Sequence, residues 1–554
     1  MEVEEFTIEL NNQSRSIKDS SIKDISLENG SIHSTKPTKS FLLPLIILSL
    51  ILSIFLSSMD ETIVASSLYT ILAYFQENSS ITWLTTSYLL TMTATQPLYG
   101  KLSNLFGTKY VHLIAILLFL IGSIGCGLAP NLISLIIFRG LTGLGGGGLV
   151  TLAYIIVSEI VPIHKRSLYQ SIIGSTFTLA SICGPLIGGA LTQYLNWRWN
   201  FFINIPIVIV AAIIILFFLP NNHKSMKDKA SVKLQFKKID FLGALVLIIS
   251  NILLILGLTW ASHDYPWSSP NVICCLVFGI LLFIIFLFVE KYYAKEPIIP
   301  STLFNRNSSL VSLSSFMYCT VYFTLIFYWP LYHQTVFNKS PLNAGLELLS
   351  ASLSICVTSV LSGILCNKFK VYLPIMRGGT IMLVIGVCLM ALLRDSITEA
   401  ELIIYPILIG GGIGFNTQLS ILCGQLAVTP ENAGIITSFI TFSQSFGGIF
   451  GLAIFGTIYN SVLRSNLLSQ FPDLNIDSFI NNNNALHSLD PSIKGKVIES
   501  FIQAYRTLFL SMIPFCVVAL ICTFGLKNIS LTESKSNNEN ENKNKNENEV
   551  KVIE

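Results

Sequence analysis

Five carboxylates interrupt long apolar stretches or stand at their edges: Asp60, Glu61, Glu159, Glu290 and Glu347. One arginine, Arg139, lies well inside another apolar stretch, just ahead of Gly143 and the run Gly145–Gly148. Charge in an apolar interior is costly, and where it occurs it usually marks an ion or substrate pathway. Burial disfavours the ionised form of a carboxyl, and two neighbouring acids disfavour each other's ionisation. Asp60 and Glu61 therefore suit a group that takes up and releases a proton. Consecutive helical residues point about 100° apart, so one of the two is expected to face an interior chamber. The competing reading ends the first apolar stretch earlier and makes the pair a wet outer cap. Glu159 and Glu290 sit near Lys165 and Lys291 and read as solvated helix ends. Glu347, one to two turns inside its stretch, faces either a cavity or the outer surface. Arg139 is read as a coupling group or as a tie to backbone carbonyls.

Other polar and aromatic residues fall inside the same stretches: Trp83, Tyr88, Gln96, Tyr322, Tyr328, Trp329, Asn416, Gln418 and Gln444. Together they could line a binding chamber, since aromatic faces also hold cations; singly, each reads more simply as packing. Acids within these stretches outnumber Arg139, which favours a small cationic substrate. The eleven cysteines lie in or at the ends of apolar stretches without metal-ligand spacing and read as small packing residues. The seven histidines are placed outside or at the ends of those stretches, which argues against an intramembrane enzyme. Neither metal nor cofactor is expected.

The elements that must position these groups follow from composition. The chain has 554 residues, 52% hydrophobic and 12% charged, with a mean hydropathy of +0.65. Globular proteins carry about 25% charged residues. The deficit is concentrated in apolar runs of about 18–25 residues, each long enough to cross a hydrocarbon core of about 30 Å as a helix. The chain reads as an all-α polytopic membrane protein, with spans at 41–65, 81–100, 110–128, 132–157, 168–192, 200–219, 239–260, 271–290, 309–332, 342–365, 377–393, 402–426, 434–458 and 505–526. Lys101, Lys109, Lys165, Arg166, the lysines of 224–238, Lys291, Lys295, Arg306, Lys368, Lys370 and Arg377 then share one side. Arg198, Lys339, Arg394, Arg464, Lys494, Lys496 and Arg506 share the other. The cation-rich side is cytosolic, so both termini are expected there. The net charge of +3 is spread over loops and points to no nucleic acid.

Residues 1–40 and 527–554 read as disordered tails, the second an Asn/Glu/Lys run, with no cleavable leader before Phe41. Asn78-Ser79-Ser80 and Asn338-Lys339-Ser340 are glycosylation sequons close to the membrane. The stretch 459–504, with its Asn481–Asn484 run, reads as a long outer loop.

One turn recurs. Gly100-Lys101-Leu102-Ser103-Asn104-Leu105-Phe106-Gly107-Thr108-Lys109 joins the second and third spans, and Gly363-Ile364-Leu365-Cys366-Asn367-Lys368-Phe369 repeats its Gly, Leu, Asn and Phe at the same spacing. A repeated turn implies two related halves, a plan common among transporters. Gly184-Pro185-Leu186-Ile187-Gly188-Gly189 interrupts the fifth span and marks a kink or hinge.

These blocks resemble the major facilitator superfamily, in particular its fourteen-span drug:proton antiporter branch of fungal type. Gly100, Asn104, Gly107 and Lys109 match the signature gating turn, Arg139–Gly147 the fourth-span motif, and Gly184, Pro185, Gly188 and Gly189 the antiporter motif of the fifth. Met59–Val64, Trp197–Pro206 and Glu296–Pro300 also match. The resemblance implies a 41–220 six-helix bundle, a 221–308 loop with extra spans seven and eight, and a 309–526 second bundle. It further implies alternating access driven by the proton gradient in a monomer, with Asp60 favoured over Glu61. Vacuolar basic amino acid transporters look nearest within the branch. A plasma-membrane multidrug pump is the alternative, and a non-transporting sensor of the same fold the third. The family usually has aspartate where Asn104 and Asn367 stand, and glutamine where Thr142 stands. Asparagine can still accept a hydrogen bond from a helix N-terminus but lacks the charge contribution of about 0.3–1 kcal/mol.

Overall fold

In a bilayer the backbone must satisfy its own hydrogen bonds, and a helix does so within one segment. Each apolar run accordingly folds as a helix in the computed structural model, which describes residues 42–76, 83–220, 240–263, 265–293, 297–394, 397–471 and 491–529. The long helices are α1 (Leu42–Ile63), α2 (Trp83–Phe106), α3 (Thr108–Leu128), α4 (Leu132–Ile160), α5 (Ile163–Tyr194), α6 (Asn204–Phe218), α7 (Phe241–His263) and α8 (Pro270–Tyr292). They continue as α9 (Arg306–Thr335), α10 (Leu349–Phe369), α11 (Leu373–Met390), α12 (Glu399–Leu426), α13 (Ala433–Gln470) and α14 (Pro491–Gly525). No strand occurs among the described residues. Among the described residues thirteen helical segments are long and apolar enough to cross a membrane; α2, with its threonines, Gln96 and Pro97, is the more polar exception. The expected first tail, residues 530–554 of the second and the Asn78 sequon lie outside the described residues, whereas Lys527 exchanges hydrogen bonds with Asn307.

Leu45–Glu554 forms one unit by contacts within the chain, and the packing described here lies inside it. Helices α2 to α6 pack with α1, and α9 to α14 pack with one another. The α7–α8 pair stands apart as a hairpin whose α7 seats against α2 and α13. α8 is apolar around its circumference and exposes Ile273, Val277, Phe278, Ile280 and Ile284, as a lipid-facing helix does.

The repeat is visible in the caps. Asn131 starts α4 and Thr398 starts α12, each with a reciprocal capping box, a device worth about 1 kcal/mol. Twelve residues on, Gly143 packs against the Tyr88 carbonyl and Gly410 against the Ala351 carbonyl.

Two boundaries differ from the sequence reading. Gly100–Phe106 is the last part of α2 rather than a loop, and the chain reverses at Gly107, whose φ of 89° is open to glycine but hard for other residues. Residues 459–470 and 491–504 are helical continuations of α13 and α14, not loop; only 472–490, with the Asn481–Asn484 run, lies outside the described residues. At 38 residues, α13 is about 57 Å long, nearly twice a hydrocarbon core of about 30 Å. Leu463 and Leu467 are buried in the same apolar core as Val497 and Phe501, and Asn466 bonds Gln503 at 3.2 Å.

Candidate functional site

Arg139 of α4 is fully buried and forms an ion pair with Asp60 of α1, likewise fully buried. Its Nη2 also donates to the Asp60 carbonyl at 3.2 Å and its Nε to the Leu84 carbonyl of α2 at 3.1 Å. The Tyr88 ring lies 4.5 Å beneath the guanidinium, and the Tyr88 hydroxyl donates to the Ser57 carbonyl at 2.8 Å. Asn204, the first residue of α6, donates to the other Asp60 oxygen at 2.9 Å. One charge pair thus joins α1, α2, α4 and α6. The tie to backbone carbonyls read for Arg139 is present, and beside it stands an ion pair with Asp60.

Glu61 differs from its neighbour. It is partly buried, and among the described residues no hydrogen bond or ion pair reaches its carboxyl. It lies close enough to Tyr322 of α9 to interact electrostatically with it. The helix carrying the pair is pressed tightly against α5: a Cβ on Gly184 would lie 2.1 Å from Thr62 Oγ1, and one on Gly188 would lie 2.5 Å from the Ile63 carbonyl oxygen. Gly189 is less constrained, and Pro185 is exposed within a continuous helix.

A cavity lies between the halves. The first half lines it with Met92, Gln96, Val150, Tyr154, Gly174, Phe177 and Thr178. The second contributes Cys319, Tyr322, Phe323, Ile355, Ser359, Ile413, Thr417, Gln418, Thr441, Gln444 and Ser445. None of these is charged. Contacts between the halves gather at the end carrying the two turns. Asn104 Nδ2 donates to the Glu431 carbonyl at 2.8 Å, Gln170 Nε2 to Gln425 Oε1 at 3.1 Å, and Ser167 Oγ to the Gly363 carbonyl at 3.4 Å. Gly100 lies against Gly434 and Ser438 of α13, and Gly363 against Ser167 and Ser171 of α5. Each half's turn therefore grips the start of the other half's fifth helix, and the cavity is closed on that side. Lys109 instead caps α6, donating to the Leu219 carbonyl at 2.9 Å. Asn104 is a donor in its contact, not the acceptor that the sequence suggested.

A sequence profile of the Major Facilitator Superfamily matches residues 50–452. The chain belongs to the major facilitator superfamily. It is 32% identical to the efflux pump aflT of Aspergillus parasiticus over 482 residues, covering 86% of this chain and 93% of that one. It is 31% identical to the efflux pump dotC of Dothistroma septosporum over 500 residues, 89% of this chain and 86% of that one. Among solved structures, the proton:xylose symporter XylE bound to 6-bromo-6-deoxy-D-glucose aligns with a TM-score of 0.54 at 14% identity, covering 86% of this chain and 95% of that one. The human organic anion transporter MFSD10 aligns with a TM-score of 0.53 at 14% identity, covering 85% and 99%. At such identities the structural likeness speaks for the fold alone: this is a multi-pass integral membrane protein with the major facilitator fold.

Within that superfamily fold the sequence candidates separate. Gln96, Tyr322, Gln418 and Gln444 line the cavity. Tyr88 is core of the first half. Trp83 packs edge-on against Trp260 at 6.3 Å, and Asn416 donates to the Gly412 carbonyl of its own helix at 2.8 Å. Tyr328 packs on Tyr459, and Trp329 stacks on Tyr332. Glu347 ends the short helix Pro341–Glu347, pairs with Lys339 at 2.5 Å with both side chains about one-third exposed, and does not line the cavity. Glu290 accepts from the Ile299 N–H at 2.8 Å, and Glu159 accepts from Thr108. His112 and His333 lie near the ends of α3 and α9, as the sequence places them, yet both are fully buried; no cluster of metal-ligating residues occurs among the described residues. Sequence reasoning missed Asn204, Tyr154 and Gly174 and did not pair Asp60 with Arg139. The available signal was charge balance, since a lone arginine at membrane depth needs an acid.

Proposed function

We propose that this transporter exports uncharged or weakly charged amphipathic organic compounds from the cytosol in exchange for protons, with Glu61 as the proton carrier. The observation that carries the substrate class is the lining of the cavity, which offers rings, amides and hydroxyls but no charged group. A basic amino acid would arrive with two or more charges and find no carboxylate there, and burying unpaired charge is prohibitively costly. The efflux-pump names of the relatives agree with export. The expectation of a cationic substrate rests on the acids of α1, one of which Arg139 already neutralises.

Glu61 is favoured over Asp60 for the same reason. Protonating Asp60 would strand Arg139 in a dry core, whereas Glu61 lies within electrostatic reach of Arg139 but has no hydrogen bond to break. A proton arriving at Glu61 removes a charge beside the seam between the halves, and alternating access needs such a change.

Inverted vesicles with an acidic lumen should accumulate an uncharged amphipathic probe and not labelled lysine or arginine, and a protonophore should collapse the uptake. Glu61→Gln should retain folding and binding but lose gradient-driven accumulation, leaving only equilibration of the probe across the membrane. Proton-driven uptake of lysine, or full accumulation by Glu61→Gln, would sink the respective half of the proposal.

A further inference from the structure

Part of the cavity's polar lining is left unused by the protein. Gln96 of α2 is 1% exposed and Gln418 of α12 is 2% exposed. Both line the cavity, and each carries a buried amide oxygen with no hydrogen-bond partner. Ser359 Oγ of α10 is a third such atom. Buried polar groups nearly always find a partner, so each orphan calls for an explanation. With the Tyr322 hydroxyl, four orphans at one cavity, drawn from both halves, share a simple explanation: the missing partners belong to the ligand. Carbonyl oxygens accept, so the ligand must donate.

Gln418 has a second peculiarity. A Cβ built on Gly174 of α5 would lie 1.8 Å from Gln418 Nε2 and 2.3 Å from its Cδ. The amide of the second half therefore occupies a notch in the first half that exists because residue 174 has no side chain. The matching position across the repeat holds Thr151 and Thr441, 3.4 Å apart through their hydroxyls. On one side of the cavity floor two hydroxyls meet; on the other, a long amide reaches across and leaves its oxygen unmatched.

We propose that Gln96 and Gln418 form a two-point seat for an uncharged aromatic ligand bearing at least two hydroxyl or N–H donors, with the Gly174 notch fixing where Gln418 can stand. Tyr154, Phe177, Tyr322 and Phe323 supply the surfaces for the ring system. Gln418 is a specificity residue here, and Gly174 is a positioning residue that acts through it. The inference rests on the reading of the cavity as the transporter's substrate site, but its test is binding and needs no transport.

The test uses the full chain in lipid nanodiscs and equilibrium dialysis with three probes: quercetin, its permethyl ether, and lysine. Quercetin should bind, its ether at least tenfold more weakly, and lysine not measurably. Gln418→Leu should weaken quercetin binding at least tenfold and shrink the gap between quercetin and its ether. Gly174→Ala should do the same by pushing the Gln418 amide aside without altering it. Gly378→Ala, where the added methyl meets open space, should bind like the parent chain. Equal binding of quercetin and its ether, unchanged binding in Gly174→Ala with a native melting temperature, or preferential binding of lysine would each overturn the seat. If binding follows the expected pattern while proton-driven export of quercetin fails, the seat stands and the export reading falls.

Discussion

The two halves share a backbone plan but not their chemistry. Gly184 of α5 packs against the Met59 carbonyl, and its counterpart Gly451 of α13 packs against the Thr320 carbonyl. One residue further along stand Asp60 and Val321; two further along, Glu61 and Tyr322. Four residues before Gly143 comes Arg139, and four before its counterpart Gly410 comes Pro406. The first half is thus tied by a buried ion pair at the place where the second has no charge at all. The second half is held instead by rings: Trp329 stacks on Tyr332 at 5.4 Å, Tyr332 meets Tyr505 edge-on at 5.1 Å, and Tyr505 meets Tyr459 at 4.7 Å. Carboxylate and guanidinium groups buried at membrane depth are therefore concentrated in one half, where the other has Val321 and Tyr322. A rocking transporter needs only one half to change its charge for the seam between the two to change its energy.

The strongest way to break this contrast is to remove the charge. Arg139→Met leaves the Asp60 carboxylate buried without its partner, which typically costs about 3–5 kcal/mol. The purified protein should melt far earlier, and transport should vanish with the fold. The double variant Asp60→Leu/Arg139→Met replaces both partners with apolar groups, an exchange that is often neutral, and should recover most of the lost stability. If the double variant is no more stable than the single one, the pair is not what holds α1 to α4. Recovered stability with retained proton coupling would fit Glu61 as the carrier, whereas recovered stability without coupling would return that role to Asp60.

The contrast also explains what could be read from the chain alone. Apolar runs are one-dimensional signals, so the all-helical succession of membrane-length segments and the repeat at Gly100 and Gly363 were legible. Side-chain partners are three-dimensional: Asp60 and Arg139 are 79 positions apart, and only charge balance links them on paper. The helical ends of α13 and α14 were read as loop because their polar residues broke the apolar run. Yet Leu463 and Leu467, one helical turn apart, carried the period that packs them near Val497 and Phe501. The cavity was half legible, since amides at membrane depth stand out by type. Whether an amide faces a chamber, as Gln96 does, or its own helix, as Asn416 does, depends on helix rotation that hydropathy does not encode.

A milder test asks whether the two turns, alike in sequence, are alike in load. A Cβ on Gly100 would lie 2.8 Å from the Gly434 carbonyl oxygen and 2.9 Å from Ile435 Cα, so α13 backbone must move. A Cβ on Gly363 would meet the Ser171 hydroxyl at 2.6 Å and the Ser167 carbonyl at 2.9 Å, where one of the two contacts is a side chain that can turn away. Overpacking of this kind costs about 1–3 kcal/mol. Gly100→Ala should sit nearer the upper figure and Gly363→Ala nearer the lower, both by favouring the state in which this end is open. Cysteine cross-linking between 104 and 431 reads that population directly. Equal effects would mean the two seams bear equal load, and no effect from Gly100→Ala would mean the closed end tolerates a wider crossing.

The smallest expected effect lies at Asn104, where the chain departs from the usual aspartate. Its Nδ2 donates to the Glu431 carbonyl at 2.8 Å, and its Oδ1 lies near Gly434 at the start of α13. Asn104→Asp deletes the donor and turns a second oxygen toward that carbonyl, a loss of about 0.5–1.5 kcal/mol for a typical hydrogen bond. In return it places a full negative charge at a helix N-terminus, a gain of about 0.3–1 kcal/mol. The two nearly cancel, and the balance favours slightly weaker closure, about half a kcal/mol or less between the two ranges. Asn104→Ala loses the bond and gains nothing, so it should open this end more than Asn104→Asp does. Salt separates the contributions, because the charge–terminus attraction is screened and the amide bond is not. Raising ionic strength should therefore weaken closure in Asn104→Asp and leave the parent chain unmoved; an equal salt response in both would mean that the amide is not what latches α2 to α13.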